Sequence, residues 1–195
     1  PASPAETATR VAGLRLLWAA SSEGWLELAR AVIADPATCV PAAASRRPEV
    51  RSEPVPREVA LAFHERTLAQ LLLVRTALDP RERVDRFLAA ALTGILHGKS
   101  ASYLSALMPN TFSMAPRYVR EFAARTGFRS PERDLFAGLE RKLARLHREP
   151  LPRTPGIALL GDARDSSGRV RAALSAKGLP DRARLVVTSP PYLRV

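Results

Sequence analysis

Apolar residues recur at three- and four-residue steps through most of the first 150 positions, which is the spacing of amphipathic α-helices. Prolines and glycines stand near the ends of these apolar stripes. Pro116 occupies a favoured first helical position, and Ser130 is a candidate cap for the last helix of this region. The pattern predicts five helices, over residues 10–34, 57–79, 81–97, 116–125 and about 131–148.

Polar and proline-rich stretches are expected to interrupt this helical region. We expect residues 1–8 to form a frayed tail and residues 21–24 to interrupt the first helix. Prolines mark a linker over residues 36–57 and a second linker at 150–155, and residues 98–115 are expected to form a loop. The chain is therefore divided into N-terminal helices with a linker (1–56), a helical segment (57–150) and a C-terminal segment (151–195).

The hydrophobic pattern changes after residue 150. Residues 156–160 and 183–188 are short apolar runs bounded by turn signals, which is typical of buried strands. A short helix over residues 166–176 is predicted between them. Because two strands joined by a helix form a βαβ unit with a parallel sheet, we predict an α/β fold for this segment.

Composition narrows the class of protein. The 195 residues include one cysteine, Cys39, so an internal disulfide framework is excluded, and three widely separated histidines do not indicate a zinc site. The longest apolar runs reach about ten residues, whereas a membrane-spanning helix needs roughly 20. With no secretory signal in the sequence, we expect a cytoplasmic protein with no membrane partner and no metal.

The charge is strongly positive, with a formal net charge of +11 at pH 7. The excess is largest in residues 151–195, which contain eight basic and three acidic residues. A basic surface attracts polyanions, so nucleic acid is the expected partner. The alternative is that the arginines only form solvated helix faces. One such outer face, on the last helix of the helical segment, is predicted to contain Arg133, Arg141, Lys142, Arg145 and Arg148.

The second apolar run of the C-terminal segment leads directly into Ser189-Pro190-Pro191-Tyr192. In open α/β sheets, ligands bind beyond the carboxyl ends of the strands. The string Leu-Val-Val-Thr-Ser-Pro-Pro-Tyr-Leu resembles the catalytic motif of site-specific DNA amino-methyltransferases, the class found in restriction–modification systems. Its serine form is more similar to the cytosine-N4 members than to the adenine-N6 members. The resemblance implies a partial Rossmann-like methyltransferase sheet with a large helical segment, S-adenosylmethionine as cofactor and double-stranded DNA as partner.

The chemistry of methyl transfer to an exocyclic amine explains these residue types. The nitrogen is a poor nucleophile because its lone pair is delocalised into the base. The Ser189 side chain and the Pro190 carbonyl can accept its two N–H groups and so direct the lone pair towards the methyl sulfonium. Pro191 stiffens the loop, and Tyr192 can stack on a base flipped out of the duplex. These four residues are the candidate catalytic residues.

Asp162 follows the first apolar run of the C-terminal segment. In the family that the chain resembles, an acidic residue at this strand end contacts the adenosyl part of the cofactor. Asp162 is therefore the candidate cofactor-binding residue. The alternative is that Asp162 only forms a turn and that Asp165 caps the next helix.

Three stretches of the helical region, 63–68, 92–98 and 108–113, also resemble a helical insert of bacterial amino-methyltransferases. The resemblance implies that the loop over residues 98–120 approaches DNA. Arginine can contact guanine or phosphate there, and asparagine can contact adenine. The alternative is that the loop packs the helices against the sheet. The candidate nucleic-acid contacts are Lys99, Asn110, Arg117 and Arg120.

The sequence departs from the family in two respects. The glycine-rich cofactor loop of the Phe-x-Gly-x-Gly type is absent, and the sequence stops three residues after Tyr192. We therefore expect a truncated segment of a methyltransferase that is inactive by itself. Two other function classes stay open: an adenine-N6 DNA or RNA amino-methyltransferase, and a non-catalytic basic nucleic-acid-binding remnant.

Overall fold

In the computed structural model the chain divides into two units of different character, Pro1–Leu151 and Pro152–Val195. The fold mixes helix and strand, and helices predominate among the described residues. The structure describes residues 2–35, 37–41, 52–98, 100, 102–106, 116–148, 156–180 and 185.

The first unit contains all of the described strands and most of the described helices. The second unit contains a 3₁₀ turn, Ala163–Asp165, followed by helix α7, Ser166–Ser175. The elements of the first unit, in chain order, are α1 (Pro4–Ala34), β1 (Cys39–Pro41), β2 (Ser52–Pro54), α2 (Arg57–Ala62), α3 (Glu65–Ala77), α4 (Arg83–Thr93), β3 (His97–Gly98), β4 (Ser105–Ala106), α5 (Pro116–Thr126) and α6 (Leu135–Leu146).

Helix α1 is continuous over 31 residues. Ser3 begins it with a capping box, because its hydroxyl accepts the Glu6 N–H at 3.2 Å and its own N–H donates to the Glu6 carboxylate at 2.7 Å. The predicted tail over residues 1–8 is therefore wrong from Pro4 onwards. The predicted interruption at residues 21–24 is also wrong, since a glycine inside a helix has only a modest cost that packing can offset.

The predicted helix over residues 57–79 is broken in two. Helix α2 ends at Ala62, and Phe63 and His64 have extended backbone conformations before α3 begins. His64 caps α3, since its ring Nδ1 accepts the Arg66 N–H at 3.3 Å. No proline or glycine marks this break in the sequence, so the apolar period predicted a single helix.

Helix α6 begins later than predicted. Asp134, and not Ser130, caps it, because the Asp134 carboxylate accepts the Ala137 N–H at 2.9 Å. Leu139 faces the core as predicted, whereas Leu146, also predicted to face inward, is 38% exposed.

Two buried polar side chains of α3 fix the chain just before α6. The Thr67 hydroxyl donates to the Arg133 carbonyl at 2.7 Å, and Gln70 Oε1 accepts the Leu135 N–H at 2.8 Å. Buried polar groups are normally paired in this way. Arg133 is consequently held against α3 and does not lie on the solvated outer face predicted for it.

The core of the first unit consists of two hydrophobic clusters. One joins α1, α3, α4 and α6 and includes Phe136 and Leu139, which are fully buried. The other joins α1, β1, α2 and α3 and includes Val40 and Leu68. Trp18 of α1 packs against both clusters, so α1 connects the two parts of the core.

An ion pair between a half-buried arginine and a buried aspartate joins α1 to α4. Arg10 donates to both carboxylate oxygens of Asp85 at 2.7 and 2.8 Å, and the Asp79 N–H donates to the same carboxylate at 2.8 Å. Arg10 also donates to the Ala77 carbonyl at 2.7 Å. Burial disfavours the ionised form of Asp85, but the hydrogen bonds from Arg10 and Asp79 outweigh it and hold the pKa of Asp85 below its ordinary value.

Two short pairs of strands lie in the first unit. Strands β1 and β2 are antiparallel, with Val40 opposite Glu53, within the segment predicted to be a linker. Strands β3 and β4 are parallel, with His97 opposite Ser105, within the segment predicted to be a helix end and a loop. Neither pair was predicted, because runs this short carry no alternation of apolar and polar residues.

The second unit differs most from the sequence prediction. Residues 156–160 pair with no strand among the described residues, and Leu160 is 97% exposed, so the predicted buried strand is wrong there. Of the second predicted strand, residues 183–188, only Leu185 is described, and it is exposed. Helix α7 confirms the predicted helix. The described residues therefore do not contain the predicted parallel, Rossmann-like sheet.

Candidate functional site

The predicted site residues fall into two groups. Asp162, Arg117 and Arg120 are described. Six others lie outside the described residues: Lys99, Asn110, Ser189, Pro190, Pro191 and Tyr192.

Asp162 lies on an exposed turn ahead of α7. Its carboxylate accepts the backbone N–H of Arg164 at 2.9 Å and pairs with the Arg164 guanidinium, whose Nη2 lies 2.5 Å from Oδ2. These hydrogen bonds from Arg164 lower the pKa of Asp162, so it is ionised at neutral pH. This geometry agrees with the alternative predicted from the sequence, in which Asp162 only forms a turn. The Asp165 side chain makes no capping hydrogen bond, so the cap predicted for it is wrong.

The described residues around Asp162 do not form a pocket of the size of a nucleoside. The hollow beside it, between Leu160 and Ser166, has a volume of about 40 Å³. Pockets for small-molecule ligands are usually about 300–1,000 Å³. Arg169 occupies much of the adjoining space, since its Nη1 donates to the Leu160 carbonyl at 3.0 Å. Among the described residues, Asp162 supplies a hydrogen-bond acceptor but no cofactor-sized cavity.

Both described candidates for DNA contact are already paired with carboxylates. Arg117 Nε donates to the Glu121 carboxylate at 2.6 Å, one helical turn along α5. Arg120 pairs with Glu58, which joins α5 to α2. The carboxylates cancel much of the local positive charge, so the structure makes these two arginines weaker phosphate contacts than the sequence suggested.

Helix α6 and the turn after it present a different set of cations, here called the α6 basic face: Arg141, Lys142 and Arg145 of the helix, and Arg148 two residues beyond its end. Its three arginines are exposed and Lys142 is half-buried. No ion pair to any of the four is formed within the described part of the chain. Together they form a concentration of uncompensated positive charge on one side of the first unit.

The α6 basic face lines one side of a groove of about 360 Å³. Gly94, Ile95, Ser102 and Tyr103, from the segment between α4 and β4, also line this groove. The sequence signal for this face was present, because Arg141, Arg145 and Arg148 follow the spacing i, i+4, i+7 of one helix face. The sequence could not show which arginines lack a carboxylate partner.

One groove of the first unit is lined mainly by apolar side chains. It has a volume of about 610 Å³ and lies between α2, α3 and α4. The polar side chains on its wall are already engaged: Arg75 with Glu53, Asp85 with Arg10, and Arg86 and Thr93 with backbone carbonyls. Such a wall does not provide the free polar groups that orient a charged cofactor.

His97 is a structural histidine. Its Nδ1 lies 2.9 Å from the Ser105 hydroxyl, across the β3–β4 pair. Burial lowers the pKa of His97, so the ring is neutral at physiological pH and adds no charge to the neighbouring groove.

The described ranges contain neither a cluster of metal ligands nor a membrane-spanning helix. No three or more histidine, cysteine, aspartate or glutamate side chains there are grouped as metal ligands. Separately, none of the described helices is both long and apolar enough to cross a membrane. In the comparisons with known proteins, no protein-family model matched the chain, and no curated protein and no solved structure matched it.

Proposed function

We propose that this chain carries the catalytic motif of a DNA amino-methyltransferase, which transfers a methyl group to the N4 amine of cytosine. One observation supports the proposal above all: the string that ends in Ser189-Pro190-Pro191-Tyr192 and its resemblance to that family. S-adenosylmethionine, the cofactor implied by the resemblance, supplies the methyl group when bound. Such an enzyme acts on chromosomal DNA, so we propose a cytoplasmic location.

The motif residues hold and orient the target amine. The Ser189 hydroxyl and the Pro190 carbonyl each accept one N–H of the amine, which favours the pyramidal nitrogen that forms as the new bond develops. Pro191 restricts the backbone, so the Pro190 carbonyl is oriented before the base arrives. Tyr192 stacks on the flipped base and keeps it out of the duplex. No covalent enzyme intermediate is required.

The described structure supports a DNA partner through charge. The chain has a formal net charge of +11, and the α6 basic face carries cations without carboxylate partners. For the cofactor, the described residues contribute only the ionised acceptor Asp162. We therefore assign no further cofactor contact.

A methyl-transfer assay on the complete gene product tests the proposal. Tritiated S-adenosylmethionine and duplex DNA are the substrates, and mass spectrometry of the nucleosides identifies the product. We expect N4-methylcytosine, and we expect Ser189→Ala to lower the rate about 100-fold or more, as the loss of an oriented polar group at a reacting centre does. Ser167→Ala, the same change at an exposed position of α7, is the matched control and keeps full activity.

Undiminished transfer by the Ser189→Ala variant would contradict the site assignment. N6-methyladenine as the product would favour the adenine-N6 alternative, and transfer to RNA in preference to DNA would favour an RNA enzyme.

A second candidate function is a non-catalytic nucleic-acid-binding protein. Two observations favour it: the uncompensated α6 basic face, and the hollow of about 40 Å³ at Asp162, which is too small for a nucleoside. Calorimetry with S-adenosylmethionine separates the two functions. DNA binding without cofactor binding by the complete gene product would support this second candidate.

A further inference from the structure

The geometry of α6 separates an anchored side from a charged side. Leu135, Leu139 and Leu143 are buried in the core and fix the helix against α1 and α4. At about 100° per residue, Arg141 and Arg145 fall within an arc of about 40° on another side of the helix. The charged side is therefore held on a rigid element, which favours a preorganised binding surface.

Several arginines elsewhere in the first unit pair with carboxylates, among them Arg10, Arg15 and Arg30, whereas no such pair is formed on this side of α6 within the described residues. Glu140, the acidic residue within α6, points away and receives two hydrogen bonds from Arg15 of α1, both at 2.9 Å. Like charges spaced four residues apart on a helix repel one another. Arg141 and Arg145 have that spacing, so a bound polyanion would relieve their repulsion.

The groove beside these cations is shaped by glycines. Lys142 lies across Gly94, because a Cβ at Gly94 would be 3.0 Å from the Lys142 Nζ. Gly98 allows the Tyr103 ring to lie against the backbone, since a Cβ there would approach the ring to 2.5 Å. Ser102 and Tyr103 line the same groove as the arginines, and the Ser102 hydroxyl lies 2.6 Å from the Ser100 hydroxyl. Hydroxyls commonly donate to phosphate oxygens.

We propose that the α6 basic face and its groove bind the phosphate backbone of DNA without regard to base sequence. The assignment of DNA, rather than another polyanion, rests on the proposed function. The binding surface itself does not require methyl transfer.

The size of the face agrees with a backbone contact. From Arg141 to Arg145, both within α6, the helix advances about 6 Å at 1.5 Å per residue. One DNA strand advances about 3.4 Å per phosphate along the duplex axis, so this spacing corresponds to about two phosphate steps. Cations spaced in this way can contact neighbouring phosphates of one strand.

An anionic membrane fits this face less well than DNA. Helices that bind membrane surfaces insert an apolar side into the bilayer. The apolar side of α6 is buried in the core at Leu135, Leu139 and Leu143, so it cannot be inserted without unfolding the unit.

Salt-dependent binding of the 195-residue chain to a fluorescent DNA duplex tests the proposal, with no methyl donor present. The double variant R141Q/R145Q removes two cations of the face. The matched control R30Q/R66Q removes the same formal charge from exposed arginines that pair with Glu65 and Glu132. A third variant, R117Q/R120Q, tests the arginines of α5.

The expected result is a change in both affinity and salt slope. Each phosphate contact contributes about −0.9 to the slope of log K against log salt. We expect R141Q/R145Q to reduce the magnitude of the slope by about 1.8 and to weaken binding about tenfold or more at 0.1 M salt. The control R30Q/R66Q should stay within about twofold of the unchanged chain.

Three results would overturn the proposal. R141Q/R145Q could bind DNA as the unchanged chain does, or R117Q/R120Q could cause the larger loss. Alternatively, the chain could bind vesicles of anionic lipid, or single-stranded RNA, more tightly than the duplex. Because no methyl donor is used, none of these results depends on whether Ser189 is catalytic.

Discussion

The first unit contains every buried residue of the described chain, while the second unit contains the motif to which we assign the chemistry. In the first unit, apolar stripes from four helices meet and exclude water. In the second, Leu159, Leu160 and Val170 are all substantially exposed. Residues that stabilise the fold and residues proposed to react are therefore in different segments, and substitutions can address each separately.

The difference between the units follows from the number of packed elements. An isolated helix of ten residues, such as α7, gains little stability by itself in water. Helix α6 is only two residues longer, yet Leu139 and Phe136 are fully buried because α1, α3 and α4 surround them. The two helices differ in their packing partners, and α6 also has an apolar stripe of leucines that α7 lacks.

The largest difference in the free energy of unfolding is expected between substitutions of a buried and of an exposed leucine. Leu139→Ala should lower the free energy of unfolding by about 2–5 kcal/mol, because it removes buried methyl groups and leaves a cavity. Leu160→Ala, at a position that is 97% exposed, should change it by less than about 0.5 kcal/mol. Urea unfolding followed by circular dichroism measures both. An equal loss in the two variants would show that the second unit also contributes to a packed core.

A smaller difference in the free energy of unfolding is expected between substitutions of a buried and of an exposed carboxylate. Asp85→Asn should lower the free energy of unfolding by about 1.5–3 kcal/mol, because Arg10 loses a charged hydrogen-bond partner. Asp162→Asn breaks an exposed contact to Arg164 and should leave the unfolding midpoint unchanged. If Asp85→Asn were neutral in the same urea titration, the Arg10 pair would not support the first unit.

The Asp85 pair also predicts an acid dependence. The pKa of Asp85 is lower in the folded chain than the ordinary carboxyl value of about 3.9. The contribution of ionised Asp85 to the free energy of unfolding is therefore complete when the pH is above the ordinary pKa. This contribution is lost as the pH falls through the lowered pKa. The stability difference between the unchanged chain and Asp85→Asn should shrink below about pH 4. A difference that stays constant down to pH 2 would contradict this assignment.

The smallest difference in the free energy of unfolding is expected between alanine substitutions of two glycines inside helices. Neither Gly24 in α1 nor Gly168 in α7 has a neighbouring atom within 4 Å of an added Cβ. Gly24→Ala should raise the free energy of unfolding by about 0.5–1 kcal/mol, since α1 is continuous and packed on the core. Gly168→Ala should raise helicity without moving the main unfolding transition. Destabilisation by Gly24→Ala would contradict a continuous α1 and favour the interruption predicted at residues 21–24.

The sequence predicted helices best where period, cap and stop signal agree. Helices α5 and α7 lie close to their predicted bounds, and Leu139 faces the core as its spacing indicated. The break at Phe63 and His64 could not be predicted in this way, because the apolar period continues through it. An apolar run also cannot show whether a partner strand exists, and residues 156–160 have none among the described residues.

Charge compensation at the candidate site was predictable only in part. The pair between Arg117 and Glu121 follows from their spacing of four residues on one helix. The pair between Arg120 and Glu58 joins positions 62 residues apart, so it depends on how α2 and α5 pack. It can therefore be recognised only from the structure that Arg141 and Arg145 have no carboxylate partner among the described residues.

Steady-state methyl transfer at varied DNA concentration tests the central claim most directly. That claim is that the first unit binds DNA and the second unit carries the catalytic residues. With the complete gene product, we predict that R141Q/R145Q raises the KM for DNA about tenfold and leaves kcat unchanged. Ser189→Ala should instead lower kcat about 100-fold or more with little change in DNA affinity. A loss of kcat at unchanged KM in R141Q/R145Q, or full kcat in Ser189→Ala, would contradict the account.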